Sequence, residues 1–150
     1  MIRLAVFDNF PTYREGLKYF FREVPDIHIA GDAGNCADLF RSLQQTPVDM
    51  VLLGVNINRK SKYVKIVKHV DITRKIRHQF PNVKILAFAS EDTKKTVQRM
   101  MNEGANGYIG KRQGSKAELE KAIRQVVAGN PYIGQIDSNK NVGTYPCGRP

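Results

Sequence analysis

Three short apolar runs end in residues placed where a parallel α/β sheet carries its ligand chemistry, at the carboxyl ends of the strands. Ile2-Arg3-Leu4-Ala5-Val6-Phe7 ends at Asp8-Asn9, Val48-Asp49-Met50-Val51-Leu52-Leu53 at Gly54, and Val83-Lys84-Ile85-Leu86-Ala87-Phe88 at Ala89-Ser90. Among these end residues one carboxylate, one amide and one hydroxyl can do chemistry, whereas Gly54 and Ala89 carry no functional group. A second feature is cationic. Between Arg59 and Arg77 lie Arg59, Lys60, Lys62, Lys65, Lys68, Arg74, Lys75 and Arg77 against the single acid Asp71. Such a run suits phosphates or an acidic surface, or is a solvated helix face. The remaining reactive types form no constellation. Cys36 and Cys147 have neither a metal-ligand nor a disulfide-framework spacing, and His28, His69 and His78 are scattered and read as surface or helix-face packing. No glycine-rich phosphate loop follows the first run, and an enzyme is not expected.

These residues must be positioned by elements that the hydrophobic periodicity predicts. Pro11 suits a helix start, and Leu17, Phe20, Phe21 and Val24 recur at helical spacing up to Pro25-Asp26. Ile27 to Ala30 reads as a short second strand followed by Gly31-Asp32-Ala33-Gly34, and Asn35 caps a helix carrying Cys36, Leu39, Phe40 and Leu43. Residues 55–62 read as loop, and Tyr63 to Phe80 as a helix with a basic outer face, either continuous or broken near Val70-Asp71. Asp92 to Glu103 is a helix ended by Gly104, Gly107 to Gly110 a brief last strand, and Ser115 with Glu118 a capping box for a helix that stops at Gly129-Asn130-Pro131. The expected fold class is α/β, five parallel strands alternating with five helices on both faces of one sheet.

At 150 residues, 41% hydrophobic and 25% charged, the chain is long enough for one domain with a real core. No apolar run approaches the roughly 20 residues that span a bilayer, and the N-terminus does not read as a signal peptide, so a cytoplasmic location and no membrane partner are expected. The net charge of +10 speaks to partners and not to fold.

Several strings resemble the receiver domain of two-component response regulators, in the NarL/FixJ-type group that normally carries a LuxR-type helix-turn-helix output. They are Asp8-Asn9-Phe10-Pro11, Arg14-Glu15-Gly16-Leu17, Pro47 to Leu53, Glu103 to Lys111, and Ala128-Gly129-Asn130-Pro131-Tyr132. The likeness covers roughly residues 2–133 and implies a flavodoxin-like (βα)5 receiver fold. Residues 134–150 read as a tail or linker, too short for an output domain.

The resemblance also implies a site. Receivers bind Mg²⁺ through an acidic pair after the first strand and accept a phosphoryl group on an aspartate ending the third. A Thr or Ser after the fourth strand and a Lys after the fifth then read the phosphate. On these positions stand Asp8, Asn9, Gly54, Ala89 and Lys111. The Asp49-to-Gly54 and Ala89-to-Lys111 intervals match the family pattern without gaps, which leaves Ser90 one place off. Glycine supplies no nucleophile, and a lone Asp8 beside a cationic Lys111 is a poor Mg²⁺ site. We therefore expect a degenerate pseudo-receiver that has lost Mg²⁺ binding and is not phosphorylated at the usual position, with Asp8 and Lys111 either paired in place of the metal or separately solvated. It is expected to act by phosphorylation-independent association as a homodimer or as a heterodimer with another regulator. In the family, either the segment from residue 92 through the last helix or the first and last helices serve such contacts. The loop after Gly54 is about seven residues longer than in receivers and strongly basic. With the third helix it supports a second expectation, nucleic-acid binding through Arg59, Lys60, Lys62, Lys65, Lys68 and on to Arg77.

Overall fold

The computed structural model describes residues 1–55, 62–90, 94–111 and 114–134, and for 62–68 the backbone alone. The order is β1 (Ile2–Phe7), α1 (Pro11–Phe21), β2 (Ile27–Ala33), α2 (Cys36–Gln45), β3 (Met50–Val55), α3 (Lys62–Gln79), β4 (Lys84–Ala89), α4 (Lys94–Asn102), β5 (Gly107–Gly110), α5 (Lys116–Val127) and β6 (Tyr132–Ile133). All strand pairs are parallel, in the spatial order β2-β1-β3-β4-β5-β6.

Alternation along each strand divides the core in two. Phe7, Val51, Leu53, Val55, Ile85, Ala87 and Ala89 pack with residues of α2, α3 and α4 on one face. Leu4, Val6, Met50, Leu52, Leu86, Phe88 and Ile109 pack with α1 and α5 on the other. Burial on both faces is why β3 reads as an unbroken apolar run.

The caps follow the local chemistry. Pro11 opens α1, where its missing N–H costs nothing. The Asn35 side chain accepts from the Asp38 N–H at 2.9 Å, and Ser115 Oγ from the Glu118 N–H at 3.1 Å. The Glu118 carboxylate accepts from the Tyr132 hydroxyl at 3.3 Å, tying α5 to β6. Gly104 takes φ +115° after α4, a conformation that side chains other than glycine's disfavour.

The structure corrects the expected elements in three places and decides a fourth. β2 continues to Ala33, because a bulge between Leu4 and Ala5 slips the register so that Ala5 pairs with Gly31. Gly54 lies inside β3, paired with Phe88, and does not end the strand. Among the described residues α3 runs through Val70-Asp71 without a break. The sheet has a sixth strand, since Tyr132-Ile133 pairs with Gly107-Tyr108.

Candidate functional site

Asp8, the residue after β1, is 1% exposed and lies on the α1/α5 side of the sheet, where alternation also places Gly54, Phe88 and Lys111. Its Oδ1 accepts from the Phe10 N–H at 2.9 Å, which turns the chain into α1. Its Oδ2 accepts from Lys111 Nζ at 2.7 Å, in an ion pair whose side chains are 4% and 1% exposed. The Asp8 carbonyl accepts from Arg14 Nη1 at 2.5 Å. Two cations thus bracket one acidic residue.

Gly54 explains how Asp8 fits. A Cβ on Gly54 would run into Asp8 Oδ2 and lie 2.8 Å from Asp8 Cγ and from the Phe7 carbonyl. The carboxylate occupies the space of the missing side chain.

Lys111 is enclosed on its other sides by aromatic rings. Its Nζ sits 3.7 Å from the centre of the Tyr13 ring and 5.5 Å from that of Phe88, the first well within cation–π range. Burial lowers the Lys111 pKa from the usual lysine value, and the hydrogen bond and charge of Asp8 oppose that shift. Lys111 is desolvated as well as paired.

Asn9 is exposed beside the pair. The Ala89 side chain is fully buried in the cluster on the opposite face, while its carbonyl accepts from the Lys111 N–H at 2.6 Å. The Ser90 N–H donates to the Val55 carbonyl at 2.9 Å. Arg59 and Lys60 lie outside the described residues, as do the side chains of Lys62, Lys65 and Lys68. His28 and His78 are exposed, and His69 is buried edge-on to Phe7 with ring centres 6.5 Å apart.

Two residues of this site escaped the sequence reading. Tyr13 falls in the first turn of α1, and an aromatic residue so close behind Asp8-Asn9 was the available signal. Arg14 also pairs through Nε with Asp32 at 2.7 Å and passes close over Gly34, where a Cβ would lie 2.8 Å from its Nη1. The bulge in β2 carries Asp32 within reach, and Lys18 joins the same carboxylate.

Comparison with known proteins agrees with this fold. The family model "Response regulator receiver domain" matches residues 4–124. The chain belongs to that family. This receiver is 30% identical over 139 residues to the "Uncharacterized transcriptional regulatory protein YxjL" of Bacillus subtilis, covering 93% of the chain and 60% of that protein. It is 25% identical over 132 residues to the "Transcriptional regulatory protein DegU" of Brevibacillus brevis, covering 88% and 52%. The chain therefore spans a little over half the length of these curated relatives. Among solved structures, the isolated receiver domain of RcsB from Salmonella enterica in the apo form superposes with a TM-score of 0.78 at 13% identity, covering 90% of this chain and 94% of that one, a likeness of fold. The setting is two-component signalling.

Proposed function

We propose that this receiver domain does not accept a phosphoryl group at the usual strand end and acts by phosphorylation-independent association with another protein. The observation that carries the reading is the Asp8 carboxylate in the space of the missing Gly54 side chain, held there by Lys111. Receiver phosphorylation needs a carboxylate nucleophile, and Gly54 has none to offer. Mg²⁺ asks for near-octahedral oxygen coordination. Both Asp8 oxygens accept hydrogen bonds, one from an ammonium, and among the described residues no three His, Cys, Asp or Glu side chains are grouped to hold a metal. These residues do not fit the ion. The module works by binding and not by catalysis, in the cytoplasm; among the described residues no helix is long and apolar enough to cross a membrane.

The surface that supports association is α1. Phe10, Tyr13, Tyr19 and Phe20 are all exposed there or at its N-cap, and a Cβ on Gly16 would meet nothing within 4 Å, which leaves a notch beside Tyr13 and Phe20. Aromatic anchors around a notch suit a homodimer or a heterodimer with another receiver-type regulator. The test incubates the protein with acetyl phosphate and Mg²⁺, then measures intact mass and sedimentation. We expect no phosphoryl adduct, association independent of the donor, and loss of association in Phe20→Glu. A phosphorylated species, or association only with the donor present, overturns the reading.

A further inference from the structure

We propose that the outer face of α3 and α4 binds the phosphate backbone of duplex nucleic acid without reading its sequence. Residues 59–103 hold twelve of the 24 cations and only four of the 14 acids, so fewer than a third of the residues carry eight of the ten net positive charges. Of these cations the fold places the exposed Arg74 and Lys75 on α3 and Lys94, Lys95 and Arg99 on α4. Residues of α3 and α4 pack on the same face of the sheet, and Arg74 of α3 bridges to Glu103 just past α4 at 3.0 Å.

The cations of the other helices are mostly spent within the molecule: Arg14 and Lys18 on Asp32, Arg41 on Asp38, Arg124 on Asp26. On this face, Lys75, Lys94, Lys95 and Arg99 are exposed, and among the described residues none is within ion-pair distance of an acid. The exposed surface of α4 consists of Lys94, Lys95, Gln98, Arg99 and Asn102, all able to donate hydrogen bonds to phosphate oxygens.

The chemistry of the face selects among anionic partners. A stable protein interface needs an apolar centre, and the exposed large hydrophobic side chains of the described residues lie at Met1, on or beside α1, and at Ile133. Single-stranded nucleic acid is held by stacking on aromatic side chains, which this face also lacks among the described residues. A duplex backbone requires only cations and hydrogen-bond donors, and its binding weakens as salt rises.

The experiment measures anisotropy of a labelled mixed-sequence DNA duplex against the full chain over a salt series. It is repeated with K94E/K95E/R99E and with the α5 control K116E/K121E, whose altered residues are also exposed. Unchanged thermal midpoints check that both variants fold. We expect binding at low salt that falls log-linearly with salt. The α4 variant should lose at least about tenfold in affinity and lower the salt slope by roughly 2 to 3, one contact per cation removed, while the control stays within about threefold. Absence of duplex binding at the lowest salt, or equal losses in both variants, overturns the proposal. So does α4-dependent binding of poly-glutamate without duplex binding, which would assign the face to an acidic polypeptide.

Discussion

Gly54 and Asp8 share one volume: the Cβ that Gly54 lacks would stand 2.8 Å from Asp8 Cγ, so the two positions cannot both present side chains in this arrangement. A substitution at Gly54 must move Asp8 and with it Lys111. We expect Gly54→Ala to destabilise the domain by about 1–3 kcal/mol through overpacking, read by urea denaturation. Gly54→Asp should fail to gain phosphorylation by acetyl phosphate even though it restores a carboxylate. A stable, labelled Gly54→Asp protein would show that Asp8 yields its place readily.

The Asp8–Lys111 pair should respond asymmetrically. Removing the cation alone, as Lys111→Met, leaves a buried carboxylate facing an apolar chain and costs about 3–5 kcal/mol. Removing both charges, as Asp8→Asn with Lys111→Met, should recover most of that loss, because neutral groups need no compensation in a desolvated place. Denaturant unfolding of the two single variants and the double variant measures the coupling. Independent, additive losses would contradict a coupled pair.

Arg77 is expected to be a point of high sensitivity. Its guanidinium donates to the carbonyls of Pro81, Val83 and Gly104 and to Asn106 Oδ1, the last at 2.5 Å, and Asn106 Oδ1 in turn accepts from the Ile85 N–H. These acceptors are uncharged, and burial lowers the Arg77 pKa from its ordinary value. Arg77→Met should cost about 2–4 kcal/mol in urea denaturation, since it strands several partly buried acceptors. Arg77→Lys should rescue little, because an ammonium cannot reproduce the planar fork. Rescue by lysine would reduce the site to simple charge.

Acid sensitivity follows from three surface pairs. The hydrogen bond from Arg3 lowers the Asp49 pKa from the usual carboxylate value, and Arg124 and Arg74 do the same for Asp26 and Glu103. A carboxyl whose folded pKa is depressed stabilises fully above its unfolded value, about 4, and loses that contribution as pH falls through the lowered folded value. Thermal midpoints should therefore show no loss from these pairs between pH 7 and about 5 and should fall below about 4. Arg3→Met should lower the plateau slightly and flatten the acid limb. A steeper acid limb in that variant would reverse the sign of the linkage.

What was legible in advance depended on whether the signal was local. The Asn35 and Ser115 caps and the Pro11 start are set by neighbours in sequence and stand where their chemistry put them, and the run Val83–Phe88 forms β4 one residue later, over Lys84–Ala89. The family resemblance named Asp8 and Lys111, but their contact joins residues 103 positions apart and depends on Gly54 leaving room. β2 runs past its apolar residues to Ala33 because the bulge and the pairing with Ala5, Val6 and Phe7, none of them local in sequence, carry Gly31-Asp32-Ala33 into the ladder. β6 was missed because two residues carry no period; its edge position beside Gly107 is decided by packing. The basic insertion at residues 56–61 lies outside the described residues.

The enclosure of Lys111 between Asp8 and Tyr13 bears on how such a domain responds to its surroundings. A ligand or modification shifts an equilibrium only if there is a second arrangement that it prefers. On the reading proposed above, phosphorylation supplies no such preference, so regulation would pass to mass action: the fraction of partner engaged would be set by how much of each protein is present relative to their Kd. On that reading, a change in the amount of protein made would take the part that a phosphoryl group has in a phosphorylated receiver, and the signal would be an abundance.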